Sequence, residues 1–350
     1  MSNTSNKKPV RVGISIGDIN GIGPEVILKT FSDNRILDFV TPVIYSSASL
    51  LSAHRKSLDL PAMTHTNLEE GMEAKSKTLY INKCWDKDPQ LNIGKETPEG
   101  GEFAIKSLKA ATDDLAASKI DILVTAPINK HNVQSSEFDF PGHTEFLAKL
   151  SNVENALMLM VADKLRVAVV SGHVPLKDVA KNLTKEKIVE SISQLNDSLV
   201  KDFGITRPKI AVLGLNPHAG DNGVIGDEEK EIIIPAINEA KGKGMLAFGP
   251  YSADGFFGSS VYSHYDGILA MYHDQGLVPF KSLSFGNGVN FTAGLPIVRT
   301  SPDHGTGFDI AGKNEASESS FRNALYLALD IYRTREEHKE LTANPLQKQK

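Results

Sequence analysis

Cysteine is almost missing: Cys84 is the sole thiol in 350 residues. A lone thiol excludes an intramolecular disulfide and any paired-cysteine zinc knuckle, and it suits a reducing compartment. Long apolar runs are missing too; none approaches the roughly 18 residues of a membrane span. The first ten residues, MSNTSNKKPV, are polar and lack the apolar core of a signal peptide. No block of like charge occurs, and the formal net charge is −5. That balance argues against nucleic acid or a membrane as partner. Any anionic ligand must be met by a few local cations. Internal repeats and low-complexity linkers are absent as well. The default is a cytoplasmic enzyme or binding protein.

What is present is ordinary globular composition, 40% hydrophobic and 23% charged, in a chain long enough for two domains. Strand-like runs alternate with helical patterns. Strands are predicted over 10–16, 42–47, 121–126, 209–215 and 267–272. Helices are predicted over 24–31, 102–118, 184–203, 228–241 and 317–337, with Thr184 as an N-cap. Segments 156–162 and 165–171 flank Asp163 and Lys164 as an antiparallel hairpin. The tail TANPLQKQK is expected to fray. Alternation of this kind predicts an α/β protein with helices covering a largely parallel sheet.

Three of the ten histidines follow apolar strands almost at once: His173 after VAVVSG, His218 after IAVLGLNP, and His273 after GILAMY. In open α/β sheets ligands bind outside the carboxyl ends of the strands. Three imidazoles delivered there suit zinc, cobalt, nickel or iron, with Asp274 and Asp254 as candidate carboxylates. Each histidine alone reads more readily as a hydrogen-bonded turn residue, the three together equally as a shared metal site, and the spacing is no compact metal motif. His54, His65 and His338 lie in polar stretches and are expected at the surface.

PGHTEFL places His143 and Thr144 at a helix N-terminus, where free N–H groups attract an anion; a plain Thr144 cap is the bland alternative. Lys281, Asn290 and Arg299 sit in a Gly-rich segment. The two cations could hold a phosphate or be merely solvated. The first turn, GDINGIGPE, is not a GxGxxG fingerprint, so a Rossmann nucleotide site is not expected there. SPDHGTGFD is a second Gly-rich loop that could approach a nucleotide.

Taken in order, GDxxGIGPE, PGHTEFLA, SGHVPL, NPHAGDNGxxGxEE, AMYHDQGLVPFK and GVNFTAGLPIVRTSPDHGTGFDIAG resemble the 4-hydroxythreonine-4-phosphate dehydrogenase family of pyridoxal phosphate (vitamin B6) biosynthesis. The likeness covers roughly residues 10–335. It implies a two-domain α/β fold like the isocitrate and isopropylmalate dehydrogenases, non-Rossmann, with the active site in the interdomain cleft. The expected domains are 1–135 with 295–350, and 136–294. It also implies a homodimer whose subunits share the active site.

By motif, the resemblance makes His173, His218 and His273 ligands of one divalent metal (Zn, Co, Mg or Mn). It makes His143, Thr144, Lys281, Asn290 and Arg299 substrate contacts. By analogy to the wider superfamily, His304, Gly305 and Thr306 meet the nicotinamide of NAD or NADP. Asp254 and Lys281 are the candidates for a general base. The implied reaction is NAD(P)-linked oxidation of 4-phosphohydroxy-L-threonine to 2-amino-3-oxo-4-(phosphooxy)butanoate, which decarboxylates to 3-amino-2-oxopropyl phosphate. Alternatives are a sister dehydrogenase for threonate or erythronate 4-phosphate or for a dihydrodiol carboxylate, a metal-dependent phosphate-ester hydrolase, and a non-catalytic metabolite-binding protein. Two departures stand out: Ile19 and Asn20 replace the usual Pro-Ala, and Gly307 the usual Ala.

Overall fold

The computed structural model describes residues 9–69, 71–135 and 138–344. The first residues of the chain and most of the polar tail, read above as leaderless and fraying, lie outside that range. The chain divides into two compact units. One runs to Leu147 and includes Ile297–Leu329; the other comprises Ala148–Pro296 and the chain from Asp330 on.

In the first unit, strands β1 (Val10–Ser15), β2 (Val40–Tyr45), β3 (Thr66–Asn67), β4 (Tyr80–Asn82) and β5 (Ile122–Thr125) alternate with helices α1 (Gly23–Thr30), α2 (Ala48–Ser57) and α3 (Pro98–Ala116). Helix α4 (His143–Leu150) follows. In the second unit come β6 (Leu157–Ala162), β7 (Leu165–Ser171), α5 (Val179–Asn182), α6 (Lys185–Lys201), β8 (Lys209–Leu213), α7 (Ile234–Gly242), β9 (Leu246–Tyr251), α8 (Ala253–Phe257), β10 (Gly267–Tyr272), α9 (His273–Ser284) and β11 (Val289–Ala293). The chain then forms β12 (Arg299–Pro302) and α10 (Ser319–Thr342).

The first unit's strands run β3-β4-β2-β1-β5-β12, all parallel. Such strands are covered on both faces, which is why β1, β2 and β5 read as near-continuous apolar runs. The second unit's strands run β11-β6-β7-β10-β8-β9. Here β11, β6 and β7 pair antiparallel, and β7, β10, β8 and β9 are parallel. The predicted hairpin is β6–β7, and Thr184 does cap α6, its side chain accepting from Lys187 N at 3.3 Å.

Helix α9 was not legible as a helix, because Gly276 and Pro279 interrupt its pattern. Burial overrides that weak propensity. Leu277 and Phe280 enter a core with Val167, Val169, Ala211 and Ile268. A Cβ at Gly276 would lie 3.0 Å from both Ala270 and Val167, so glycine lets α9 seat directly on β7 and β10. The unit boundaries differ from the expected ones chiefly at the end of α10. There Arg335 pairs with Asp202 at 2.6 Å and lies over the Phe291 ring, within the second unit. Among the described helices none is long and apolar enough to cross a membrane.

One surface expectation is corrected. His54 is 1% exposed, and its Nε2 donates to the Ile19 carbonyl at 2.8 Å. It sits on the inner face of α2, which a polar local sequence conceals. Burial pushes its pKa down from 6.5 to about 4. The unfolded chain therefore binds a proton on His54 that the folded chain refuses. Stability is intact above pH 6.5 and is lost as pH falls toward 4, by about 3 kcal/mol from this group. His54→Gln keeps a donor but removes the titration. Chemical denaturation across that pH range should show a flatter stability curve for the variant; an unchanged slope would sink the assignment.

Candidate active site

Strands β7, β10 and β8 are consecutive parallel neighbours, so their carboxyl ends share one edge. His173 follows β7 by two residues, His273 is the first residue of α9, and His218 lies in the loop after β8. The three strand ends read from sequence thus lie on one edge within one unit. The His173 and His273 ring centres are 6.3 Å apart, tilted by 36°. Two imidazoles on one tetrahedral zinc place their ring centres about 5–5.5 Å apart, so this pair is open by about an ångström. Among the described residues no group of three His, Cys, Asp or Glu is gathered tightly enough to hold a metal. The donor chemistry of three imidazoles fits a divalent ion.

The partners of these histidines are informative. His273 Nδ1 lies 2.7 Å from Asp274 Oδ1. With the carboxylate accepting, Nδ1 carries the proton and Nε2 is left for a metal, the usual carboxylate–histidine support. Gln275 joins the two strand ends: Met271 N donates to its Oε1 at 2.7 Å, and its Nε2 donates to Gly214 O at 2.6 Å. His218 lines a cavity of about 590 Å³ with Asn216, Ser252, Asp254 and Asp274. The Ser252 hydroxyl, the Gly255 N–H and His218 hold Asp254 below the usual carboxylate range. A carboxylate so stabilised serves as a counter-charge better than as a base. Lys281 lies eight residues beyond His273 on α9, about 12 Å along the axis, and does not line this cavity. Asn290 lies on β11 opposite Met160; its Oδ1 is buried without a partner among the described residues.

His218 opens an unusual turn. His218, Ala219, Gly220, Asp221 and Asn222 all have left-handed backbone angles, φ from 40° to 78°. For L-residues that region costs roughly 1–2 kcal/mol each. Such a turn persists only where its surroundings over-determine it.

In the first unit, α4 begins at His143, and Arg299 opens β12 beside β5. Arg299 is 2% exposed, and its Nε and Nη2 both donate to Thr125 Oγ1, at 3.0 and 2.6 Å. Burial lowers the guanidinium pKa, with Glu145 opposing. Burial, and then the Arg299 and Lys130 charges, push His143 well below the usual histidine range. Its Nε2 is buried with no partner among the described residues. A neutral imidazole flanked by two cations suits an anion that brings its own donor or charge. Thr125 and Lys130 were not singled out from sequence, because only strand pairing and the 127–133 loop bring them to Arg299 and His143.

The 304–306 loop is held by the first Gly-rich turn: Ile22 N donates to Thr306 O at 2.8 Å, and His304 Nδ1 approaches Gly305 O at 3.0 Å. The Asn20 departure also has a structural reason. Its Nδ2 donates to Thr97 Oγ1 at 2.9 Å and its Oδ1 accepts from Asn92 N at 2.7 Å, tying the 92–97 loop to that turn. An alanine could make neither bond.

The family pattern described as "Pyridoxal phosphate biosynthetic protein PdxA" matches residues 38–328. The chain belongs to this family. It is 51% identical to the 4-hydroxythreonine-4-phosphate dehydrogenase of Bacteroides thetaiotaomicron, over 97% of this chain and 93% of that protein. Another PdxA relative, the D-threonate 4-phosphate dehydrogenase of Salmonella typhimurium, is 38% identical over 91% of this chain and 98% of its own. The fold is that of a solved structure, 4-hydroxythreonine-4-phosphate dehydrogenase from Klebsiella pneumoniae. That likeness has a TM-score of 0.80 at 33% identity and covers 95% of this chain and 99% of that one.

Proposed function

We propose that this PdxA-family protein is a 4-hydroxythreonine-4-phosphate dehydrogenase. It oxidises the C3 hydroxyl of 4-phosphohydroxy-L-threonine with NAD or NADP, and the product decarboxylates to 3-amino-2-oxopropyl phosphate. The observation that carries the reading is 51% identity across nearly the whole chain to a relative of that name. Geometry supports it through three histidines on one strand edge and a buried Arg299–His143 anion subsite.

His173, His218 and His273 would hold the divalent metal, zinc being one ion that imidazole suits. When bound, it supplies Lewis-acid polarisation of the substrate oxygens. Asp274 fixes the His273 tautomer, and Asp254 stays ionised beside His218. Arg299, His143 and Thr144 grip the anionic substrate and orient the alcohol. Asn290 Oδ1 takes a substrate donor, and Lys281 adds a further cation. The 304–306 loop lies against the nicotinamide.

The active unit is a homodimer. Leu176, Val224, Val278 and Phe285, which follow the three histidines in sequence, are largely exposed in one chain. Large apolar side chains left exposed on the segments that follow the histidines suit a second copy that covers them.

The decisive assay is reduced-nicotinamide formation, with and without chelator, on 4-phosphohydroxy-L-threonine and D-threonate 4-phosphate. Chelator-sensitive turnover preferring the amino substrate is expected. Preference for the threonate would make the protein a sister dehydrogenase. Phosphate release without reduced nicotinamide would overturn the reading.

A further inference from the structure

We propose that Glu229 is the positioning residue that holds His218 in the site. The inference rests on the reading of His218 as metal-facing. Glu229 is 4% exposed and opens a π-helical turn, Glu229–Ile233, a local widening of the kind found at functional sites. Its Oε1 accepts from Leu215 N and Asn216 N, both at 2.7 Å. Its Oε2 accepts from Asn216 Nδ2 at 3.0 Å. Asn216 Nδ2 also donates to Glu228 Oε2 at 2.7 Å. One buried carboxylate therefore fastens Leu215 and Asn216, two of the four residues that separate β8 from the left-handed turn bearing His218.

The turn is shaped around this carboxylate. Gly220 has φ 78°, and a Cβ there would lie 2.5 Å from Glu229 Oε2. Glycine is thus required twice, for the backbone angle and for the space. The far glutamate of NPHAGDNGxxGxEE is in this way the support of the near histidine. Its role follows from three acceptor bonds and not from contact with substrate, so it is not a catalytic residue.

Glutamine tests the chemistry with little change of shape. Its amide must set N–H groups against one of the two donor sets, Leu215 and Asn216 N–H or Asn216 Nδ2. Rotating Asn216 to relieve this would turn its oxygen toward the Glu228 carboxylate. In metal-free Glu229→Gln, deuterium uptake over 214–226 should rise on the order of tenfold, with β7 and β10 unchanged. Zinc affinity, from competition with a chromophoric chelator, should fall roughly 10–100-fold. kcat should fall more than KM rises. Asn216→Ala, which keeps the backbone donors, should move each readout the same way by less, and it carries the test if the glutamine variant does not fold. Native uptake over 214–226, or native zinc affinity in both variants, would overturn the proposal. His218→Ala separates the two readings. If it binds zinc like the native protein, the ligand reading fails, and loop protection in Glu229→Gln still decides whether Glu229 holds the turn.

Discussion

Replacing His273 by alanine is expected to lower kcat/KM on the order of a thousandfold and to strip the divalent metal, while the fold survives. A bound cation that polarises a reacting oxygen is worth several kcal/mol of barrier, and about 4 kcal/mol is that factor. The fold survives because the ring is not what holds the start of α9. Gln275 does that, through Met271 N and Gly214 O. Asp274 is exposed, so it rehydrates at little cost when its partner goes. His173→Ala should behave alike, since the two rings already stand 6.3 Å apart. The double variant should be scarcely worse than either single one, because ligands of one ion act as a unit. Turnover and metal content by mass spectrometry read the result. Additive losses, or full metal in either single variant, would remove the pair from the metal site.

Arg299→Met is expected to raise KM for the phosphorylated substrate on the order of a hundredfold, with a smaller fall in kcat. A buried guanidinium meeting an anion makes charge-assisted bonds of about 1.5–3 kcal/mol each. Their loss weakens ground state and transition state together, which is why KM carries most of the effect. Methionine keeps most of the volume at a position that is 2% exposed. Lysine should not rescue, because one ammonium cannot reproduce the planar fork. The variant carries a second signature. The Arg299 charge is one of the causes that depress His143, after burial. Removing it should let the His143 pKa rise part of the way back, and the acid limb of substrate binding should move to higher pH. An unaltered KM, or an unmoved acid limb with a raised KM, would take Arg299 out of the subsite or uncouple it from His143.

Much of this protein is legible without coordinates, and the limits of legibility have physical causes. Apolar runs and caps predict most of the strands and helices because period and capping are local. Three histidines behind three strands predict a shared edge because parallel strands end together. His54 was misread because polar neighbours on α2 say nothing about the side that packs beneath Ile19. Helix α9 was hidden by Gly276 and Pro279, whose cost only the β7–β10 surface offsets. Asp274 reads as either a turn acid or a support for His273, and its 2.7 Å approach to His273 Nδ1 is a contact that sequence alone does not give. Thr125 carries no local signal, and the motifs that contain Gln275 and Glu229 do not say what those side chains bind.

The sequence by itself determined the α/β class, the family and the identity of the histidines, because composition, periodicity and long motifs are properties of the chain. Only the tertiary structure decided which side chains hold those residues in place. Glu229 lies 13 and 14 residues from the backbone donors it binds, and Thr125 lies 174 from Arg299. Pairings at such separations are set by strand order and packing, which no local pattern encodes.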